Sequence, residues 1–396
     1  MPFEIPAPAT DFVSPASATD TATLPASLNM AVHDSLESVE ARWREAWPRL
    51  AGTPFQSFDW VKTWYETVGR RYGWKPCIAE LRADTPDGRT VLLLPLAMRR
   101  EGLLRVMTFM GDELLDYQAP LIDPAFARAV TPAHAARLWN GFVAILPSVD
   151  MLRTRRMPAR IGDLANPFAA LPGAVHNENA NAARLPADFA TFAASRETRL
   201  FADSRRQLRR LAETGTVRLL VEVAEPAERA RVMQALIVQK SQRWTESGAI
   251  DAFAHPGYRE FFTAMSINPL QGVDSVMSTL LVDEKPIATH WGMRMGDRYY
   301  WLMPTYDPEW ARFSPGRLLM EAVVRECIEK GLKVFDLTAG DEAYKKQWAD
   351  ETVPLYALKQ SFTTLGNYAL HIDRARALAK RIPALRRFVR RLRGKA

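Results

Sequence analysis

The stretch Tyr299–Lys330, which reads YYWLMPTYDPEWARFSPGRLLMEAVVRECIEK, decides the fold. It begins as a strand that ends near Pro304, and a loop follows the strand. Ser314-Pro315-Gly316 then starts a helix, because proline is preset for the first helical turn. The apolar residues of this helix recur at three- and four-residue spacing, so one of its faces can be buried. The stretch therefore predicts a strand, a loop and an amphipathic helix in that order.

The start of this helix has the properties of an anion site. The first N–H groups of a helix lack partners within the helix and carry the positive end of its dipole. Gly316 has no side chain to keep an anion away, and Arg312 and Arg317 add positive charge. These features indicate a phosphate or pyrophosphate site. The alternative is that Ser314-Pro315-Gly316 only starts a helix, and neither GxxxxGK[ST] nor GxGxxG occurs in the sequence.

The second half of the chain has a clear order of elements around this stretch. Periodic segments alternate with turns that contain Gly, Pro, Asp or Lys. The predicted order is a polar helical region at 188–213, a strand at 217–223, helices at 226–246 and 258–266, strands at 275–282, 287–295 and 298–304, the helix at 315–330, a strand at 333–337, a short helix at 343–348 and a strand at 354–360. Three strands in close succession, then a helix and another strand, predict a mixed sheet.

The first half repeats this order in a weaker form. The predicted elements are helices from residue 35 and at 57–69, strands at 76–82 and 90–99 joined by a turn at 86–88, a strand at 104–110, a helix at 133–146 and a strand at 149–154. The stretch 161–186, with several Asn, Pro and Gly, is interpreted as a loop at a domain boundary. The fold class is therefore α+β with two structurally related halves.

The positive charge of the chain is concentrated at its C-terminal end. The 396 residues hold 52 Lys and Arg against 45 Asp and Glu, a net charge of +7 that at first suggests nucleic-acid binding. The segment His371–Ala396 carries +9, and residues 1–370 carry −2, which argues against nucleic acid as a partner of the main body. The tail, a basic segment with apolar residues between its arginines, suits an anionic membrane surface or nucleic acid; alternatively it packs on the body.

Composition also indicates the compartment. Cys77 and Cys327 are far apart, as is typical of reduced cytosolic thiols, and the six histidines lack the spacing of metal ligands. Residues 1–34 are rich in Pro, Ala, Ser and Thr and do not look like a secretory signal, so they are predicted to be a disordered extension. No run of 18 apolar residues predicts a transmembrane helix. We expect a cytoplasmic protein that the tail could hold at the inner membrane face.

The order of elements resembles the GNAT acyltransferase fold, and the loop Arg312–Gly316 is similar to the acyl-CoA pyrophosphate loop of that superfamily. The chain also resembles one branch, the Fem-like, CelD-type acyltransferases of cell-envelope, cellulose and exopolysaccharide biosynthesis. The resemblance covers about residues 35–362 and is strongest after residue 200. It is carried by Phe55-Gln56-Ser57 through Trp64, Lys240, Arg243-Trp244, Asp307, Ser314-Pro315-Gly316, Phe335-Asp336-Leu337, Gly340, Tyr344-Lys345 and Trp348. Pro315 departs from the superfamily, which usually has another donor at that position.

The resemblance implies two tandem GNAT-like units, at 35–165 and 188–362, and a basic helical tail at 363–396. Because 117–135 contains no glycine, only the second unit is expected to bind acyl-CoA, with acetyl-CoA as co-substrate, while the first unit shapes the acceptor cleft. The residues expected to hold CoA are Met303, Pro304, Thr305, Arg312, Ser314, Gly316, Arg317 and Leu318. The residues expected to bind the acceptor are Arg243, Trp244, Asp307 and Lys345.

Three residues are candidates for the chemistry of acyl transfer, which requires a polarised thioester, a proton acceptor for the amine and a leaving thiolate. Tyr344 lies where the family often places a tyrosine that could protonate the thiolate, or it is a packed core residue. Asp336 ends a strand and is either a base or a cap of the next loop. His290 is a candidate base, because histidine titrates near neutral pH, or a structural histidine in a strand.

The resulting prediction is an N-acyltransferase that moves an acetyl group from acetyl-CoA to an amine of a sugar, an amino acid or an envelope precursor. No metal is expected to take part. Two alternatives stay open: a Fem-like aminoacyl transferase that uses aminoacyl-tRNA, and a non-catalytic accessory protein of polysaccharide biosynthesis. The near-neutral body argues against the tRNA alternative, because a tRNA platform should be basic near its site.

Overall fold

A computed structural model describes residues 28–84 and 88–381 of the chain, and the predicted turn at 86–88 lies mostly outside them. The elements of the first unit include two short non-α segments, Pro54–Gln56 and Tyr65–Gly69, on either side of its second helix. Its strands and helices are β1 (Leu28–His33), α1 (Glu40–Ala46), α2 (Phe58–Trp64), β2 (Lys75–Ala83), β3 (Thr90–Glu101), β4 (Leu104–Phe109), β5 (Leu121–Ile122), α3 (Pro124–Ala129), α4 (Pro132–Ile145), β6 (Met151–Arg153), β7 (Met157–Pro158), β8 (Arg160–Ile161) and β9 (Leu164–Ala165).

The second unit continues from a long connecting strand. Its elements are β10 (Val175–Arg184), α5 (Phe189–Ala194), α6 (Thr198–Ala212), β11 (Val217–Leu220), α7 (Pro226–Glu246), α8 (Tyr258–Ile267), β12 (Asp274–Val282), β13 (Lys285–Met295), β14 (Arg298–Tyr306), α9 (Pro315–Glu329), β15 (Val334–Ala339), α10 (Lys345–Trp348), β16 (Glu351–Ala357), β17 (Lys359–Ser361) and α11 (Thr364–Arg381). A 3-10 helix, Pro308–Phe313, lies between β14 and α9.

Local sequence accounts for where the helices of the first unit begin. The Ser57 side chain accepts a hydrogen bond from the Trp60 N–H at the start of α2. Asp123 accepts from two N–H groups of α3, and Thr131 accepts from the His134 N–H of α4. These side chains satisfy N–H groups that have no partner within the helix, and each such cap contributes about 1 kcal/mol.

The first sheet has the strand order β1-β2-β3-β4-β6-β17, and β5 pairs with β3. Its pairs are antiparallel except β4 with β6, which run parallel over Val106 and Met107 opposite Met151 and Leu152. The helices α1 and α2 bury large side chains such as Trp43 and Trp60, which are 0% and 1% exposed. Burial of such rings is a large part of the apolar area that stabilises the unit.

The second sheet has the strand order β11-β12-β13-β14-β15-β10-β16-β7. Its single described parallel pair is β14 with β15, and the other pairs are antiparallel. Helices α7 and α9 contact this sheet. The predicted α+β fold, with two units that each contain a mixed, mainly antiparallel sheet flanked by helices, is confirmed.

Two predictions about loops are wrong. The stretch 161–186 contains the ten-residue strand β10, which lies between β15 and β16 in the second sheet. The predicted disordered extension 1–34 includes β1, which pairs along its whole length with β2; residues 1–27 lie outside the described part. In both places pairing with neighbouring strands outweighs a local sequence that does not favour strands.

The two units also share strands and core. β17 follows the second unit in sequence but pairs with β6 of the first sheet, while β7 follows β6 and pairs with β16 of the second. The rings of Trp60 and Trp291 stack across the units with centroids 6.2 Å apart. The predicted boundaries 35–165 and 188–362 therefore do not enclose complete sheets.

The C-terminal tail begins as the helix α11, and the predicted helical tail 363–396 is described only up to Arg381. Leu365 and Tyr368 of this helix are largely exposed, and Lys359 pairs with Asp373 at 2.8 Å. In residues 28–84 and 88–381, no helix has the length and hydropathy needed to cross a bilayer.

Candidate active site

The site lies where β14 and β15 separate. The two strands pair only over Arg298–Tyr300 opposite Val334–Asp336, so the rest of β14 has no partner strand on that side. A β-bulge at Leu302 interrupts the pairing of β14 with β13, since Trp301 and Met303 oppose the consecutive residues Gly292 and Trp291. Bulges of this kind change the direction of side chains beside functional sites. The gap leaves the backbone of β14 from Trp301 to Tyr306 without a partner strand on the side of β15.

Helix α9 begins beside this gap without a side-chain cap. Ser314 has left-handed backbone angles, φ 52° and ψ 47°, and its carbonyl accepts hydrogen bonds from the Arg317 and Leu318 N–H groups at 3.0 and 3.2 Å. Pro315 has no N–H, so the Gly316 N–H is the one left free in the first turn of this described helix. The expectation that several free N–H groups meet an anion here needs correction, because Ser314 already satisfies two of them. A Cβ at Gly316 would lie 3.3 Å from Tyr306 Cδ1, so a side chain there would enter a narrow space.

A cavity of about 340 Å³ lies between the unpaired part of β14, the start of α9 and the helix α10. Polar backbone, two arginines and several rings form its walls, a combination that is typical of ligand sites. The lining residues are Arg243, Trp301, Pro304, Thr305, Tyr306, Ala311, Ser314, Gly316, Arg317, Met320, Tyr344, Gln347 and Trp348.

Two polar groups in the cavity wall lack partners in the described structure. Thr305 is 1% exposed, and its Oγ1 has no hydrogen-bond partner among the described residues. The Arg317 guanidinium pairs with Asp203 of α6, but its buried Nε is likewise without a described partner. Because unpaired buried polar groups are costly, both atoms favour a polar ligand in the cavity.

Tyr344 and Arg243 close the other end of the cavity. Burial raises the pKa of Tyr344 above its usual value, and the nearby Glu342 carboxylate raises it further, so the phenol stays protonated at neutral pH. The Arg243 guanidinium lies over the Tyr306 ring, 4.3 Å from its centroid. This end of the cavity therefore offers a neutral proton donor beside a fixed cation.

The structure brings seven of the predicted site residues together in the cavity wall, namely Pro304, Thr305, Ser314, Gly316, Arg317, Arg243 and Tyr344. Three predicted CoA-binding residues lie elsewhere. Met303 and Leu318 are buried in the hydrophobic cores, and the Arg312 guanidinium lies over the Phe313 ring at 4.8 Å. Arg312 thus flanks the helix start without lining the cavity.

Three predicted acceptor residues also lie outside the cavity wall. Asp307 caps the 3-10 helix and pairs with Lys285 at 2.9 Å. Trp244 packs against Phe253. Lys345 is 3% exposed, and its Nζ donates to the Ala339 carbonyl at 2.6 Å and pairs with Glu342.

The two other catalytic candidates, Asp336 and His290, are buried and contact other side chains of the protein. Asp336 accepts from the Tyr117 hydroxyl at 2.7 Å, the Arg298 guanidinium at 2.9 Å and the Thr338 N–H at 2.8 Å, and it thereby joins the two units. His290 is fully buried, and its ring stacks on Trp301 at 3.6 Å. Burial and the nearby Lys240 lower the pKa of His290 well below its usual range, so it stays neutral.

Lys240 and Asp116, which the sequence does not mark as catalytic or binding residues, have shifted pKa values. The Lys240 Nζ donates to the Pro304 carbonyl at 3.3 Å, and burial, together with Arg243, lowers its pKa to about 8. Asp116 of the first unit pairs with Arg156 at 3.2 Å, and burial raises its pKa. No periodicity marks either residue. In contrast, Met320 and Gln347 line the cavity four and three residues after Gly316 and Tyr344, so helical spacing could have found them.

Comparisons with known proteins agree with this geometry. Residues 198–346 match the family model of the acetyltransferase (GNAT) domain. No curated protein matches the sequence. Among solved structures, the crystal structure of FemX is 11% identical, with a TM-score of 0.58 over 86% of this chain and 99% of that one.

Two further solved structures have lower TM-scores. The C-terminal domain of a putative lysylphosphatidylglycerol synthetase from Agrobacterium fabrum is 13% identical, with a TM-score of 0.49 over 85% of this chain and 96% of that one. A tandem GNAT protein from the clavulanic acid biosynthesis pathway is 12% identical, with a TM-score of 0.43 over 85% and 100%. The family match places similarity to a GNAT acetyltransferase domain in the second unit, and the likeness to FemX concerns the fold.

Proposed function

We propose that the chain is an N-acyltransferase that transfers an acetyl group from acetyl-CoA to an amine, in the synthesis of cell-envelope or exopolysaccharide material. The observation that carries the proposal is the cavity of about 340 Å³ along the unpaired part of β14, next to the start of α9, which has no side-chain cap. The CelD-type resemblance of the sequence supports the biosynthetic setting.

The residues of this cavity fit the parts of an acyl-CoA. The free edge of β14 from Trp301 to Tyr306 offers backbone groups to an extended amide chain such as pantetheine. The free Gly316 N–H, the helix dipole and Arg317 suit a pyrophosphate. The unpartnered Thr305 Oγ1 offers a hydroxyl between these two regions.

The transfer itself needs one proton acceptor and one proton donor. Lys240, with its pKa lowered to about 8, is partly neutral near physiological pH, and its Nζ lies beside the free edge of β14. As the amine nitrogen bonds to the thioester carbon and the carbon–sulfur bond breaks, Lys240 accepts the amine proton. Tyr344 donates its hydroxyl proton to the departing thiolate, because its raised pKa keeps it protonated until then.

The aminoacyl-tRNA alternative makes a different demand on the surface. A tRNA donor needs several phosphate contacts from a basic face, whereas residues 1–370 carry a net charge of −2. The acyl-CoA donor is therefore favoured.

Titration calorimetry of the full chain with acetyl-CoA tests the proposal. We expect one site per chain and a matching release of free CoA when an amine acceptor is added. Binding of acetyl-CoA without any amine acylation would instead favour the non-catalytic alternative. The absence of binding would overturn the proposed function.

A further inference from the structure

The face of the first unit that packs near α8 holds a second pair of cavities. They have volumes of about 170 and 60 Å³ and share four lining residues, Trp74, Arg99, Asp112 and Glu113. The larger cavity also borders the second unit, since Tyr258 at the start of α8 lines it. The two cavities therefore form one groove, which we call the Trp74 groove.

Aromatic rings form one wall of the Trp74 groove. Tyr72 of the first unit and Tyr258 of the second are half-buried and line the larger cavity, whereas Trp74 and Trp64 are buried and the Arg99 guanidinium lies over the Trp74 ring, 4.4 Å from its centroid. Rings of this kind provide apolar contact area with polar edges, which is how proteins contact the faces of amphipathic ligands. The wall suits a ligand with flat, partly apolar faces.

Charged side chains of both signs form the rest of the wall. Glu101 pairs with Arg99 at 2.7 Å and with Arg153 at 3.0 Å, while Arg155 lies 3.8 Å from Asp112 and 3.6 Å from Glu113. These three arginines and three carboxylates leave no excess of either sign. An anion or a cation would break existing pairs, whereas a neutral ligand with many hydroxyl groups can bond to both types of side chain.

One buried hydroxyl in the groove awaits a partner. Thr108 is 3% exposed and lines the smaller cavity, and its Oγ1 has no hydrogen-bond partner among the described residues. Leaving such a group unpaired costs about 1–3 kcal/mol, so a ligand hydroxyl that reaches it is favoured. This observation is independent of the charges on the rim.

The loop that lines the groove continues towards the second sheet. Asp112 lines the groove, and Asp116, four residues further along the same loop, pairs with Arg156, whose Nε pairs with Glu178 of β10 at 2.8 Å. Four extended residues span at most about 14 Å. The loop therefore connects the groove with the second sheet, on which the acyl donor is proposed to bind.

We infer that the Trp74 groove binds neutral sugar rings of an oligosaccharide acceptor whose terminal amino sugar receives the acyl group. This inference rests on the proposed function, because it names the acceptor class of that reaction. The rings of the saccharide lie on the aromatic wall, and its hydroxyl groups bond to Thr108 and to the charged side chains. The amino group extends along the loop towards Lys240 and Tyr344.

The test is a titration of the full chain with cellotriose, a neutral trisaccharide without an amine. Ligand-observed magnetic resonance and tryptophan fluorescence detect the binding. Thr108→Val and Tyr258→Ala should each weaken cellotriose binding about tenfold, the loss expected for one hydrogen bond or one ring contact. Glu260→Gln is the matched control, because Glu260 lies two residues from Tyr258 and pairs with Arg71 outside the groove. Thermal unfolding confirms that each variant is folded.

The kinetic part of the test separates this inference from the proposed function. Groove variants should raise KM for a β-1,4-linked glucosamine trisaccharide about tenfold and leave acetyl-CoA binding unchanged. The Gly316→Glu variant should lose acetyl-CoA binding and retain cellotriose binding. The inference fails, and the proposed function stands, if acetyl-CoA binds and small amines are acylated but cellotriose does not bind. Binding of spermidine, a polyamine, in the groove in place of cellotriose would also overturn the inference.

Discussion

The two units differ at the start of the helices that connect their parallel strands. In each unit, a short parallel pair of strands is connected through helix, β4 to β6 in the first and β14 to β15 in the second. In the first unit both connecting helices are capped, by Asp123 and Thr131. In the second unit α9 starts at Ser314 with no side-chain cap bond and borders a large cavity.

If the second unit binds the pyrophosphate of acyl-CoA as proposed, the helix start rather than the fold distinguishes the two units. Pro124 and Pro315 both stand at the first position of their helices, but Asp123 already places a carboxylate on the N–H groups of α3, at 2.9 and 3.0 Å. A phosphate at that place would meet a negative charge and no free donor. The second unit keeps one donor free and has glycine where the first has Ala125.

The largest effect is expected from an acidic side chain placed at the second helical position of each unit. Gly316→Glu should weaken acetyl-CoA binding at least about 100-fold, or about 2.7 kcal/mol, because the side chain fills the cavity and repels phosphate. Ala125→Glu makes the same change at the start of α3 and should leave affinity within twofold. Calorimetry measures both, and equal effects of the two substitutions would contradict the assigned difference between the units.

Removal of the Tyr344 hydroxyl should act on the chemical step. Tyr344→Phe keeps the ring and should lower kcat about 100-fold with little change in KM for acetyl-CoA, as expected for loss of a general acid. Tyr356→Phe, on β16 and outside the cavity, is the matched control. Steady-state release of CoA thiol reports both variants, and a wild-type kcat in Tyr344→Phe would show that another group protonates the thiolate.

The pH dependence of the reaction should report Lys240. Its pKa is lowered to about 8, so its neutral form, which accepts the proton, increases as pH rises through 8. The kcat should therefore fall towards tenfold per pH unit below 8 and level off above it. An acceptor amine that is neutral across this range removes its own titration from the profile.

Lys240→Met supplies the control for this profile. The variant should be slower than wild type and should lose the inflection near pH 8, since methionine fills similar space without titrating. An unchanged inflection in Lys240→Met would assign the titration to a different group, such as Asp116.

A smaller effect is expected from the cap of the first unit. Asp123→Ala leaves two N–H groups of α3 without their carboxylate partner and should reduce the free energy of unfolding by about 1 kcal/mol. Acetyl-CoA affinity should not change, because α3 takes no part in the cavity. Urea unfolding and calorimetry measure the two quantities, and a loss of affinity would link the first unit to donor binding.

The smallest effect on the donor site is expected from the tail. Deletion of residues 371–396 removes a charge of +9 and should leave acetyl-CoA affinity within twofold, because no described residue of this segment lines the cavity. We propose that the same deletion abolishes sedimentation with vesicles that contain anionic lipid. Vesicles of zwitterionic lipid are the control, and equal binding of both chains to anionic vesicles would contradict a membrane role for the tail.

The sequence predicts most elements of the second unit because their periodicity and their turns agree. Helix α7 has the predicted bounds, and α9 ends one residue before its predicted end. β10, with the sequence VHNENANAAR, has low strand propensity, and only its two neighbouring strands explain it. Such tertiary pairing is not visible in local sequence.

The candidate site was predictable where function depends on backbone and spacing. Pro304, Thr305 and Gly316 line the cavity. They could be predicted because the end of a strand and the start of a helix can be located from local sequence patterns. The environments of Asp336 and His290 could not be inferred, since their partners Tyr117 and Trp301 come from a distant segment and an adjacent strand. Burial of a titratable group depends on these partners rather than on its neighbours in sequence.

The shared strands have a consequence for biosynthesis of the chain. β17, at residues 359–361, completes the first sheet beside β6, at residues 151–153, so this pairing must wait for about two hundred further residues to leave the ribosome. Until then β6 is the edge strand on that side of the first sheet, and its free backbone groups can pair with other chains. Nascent chains should therefore need a chaperone at this stage, and truncation before residue 359 should leave an aggregation-prone edge.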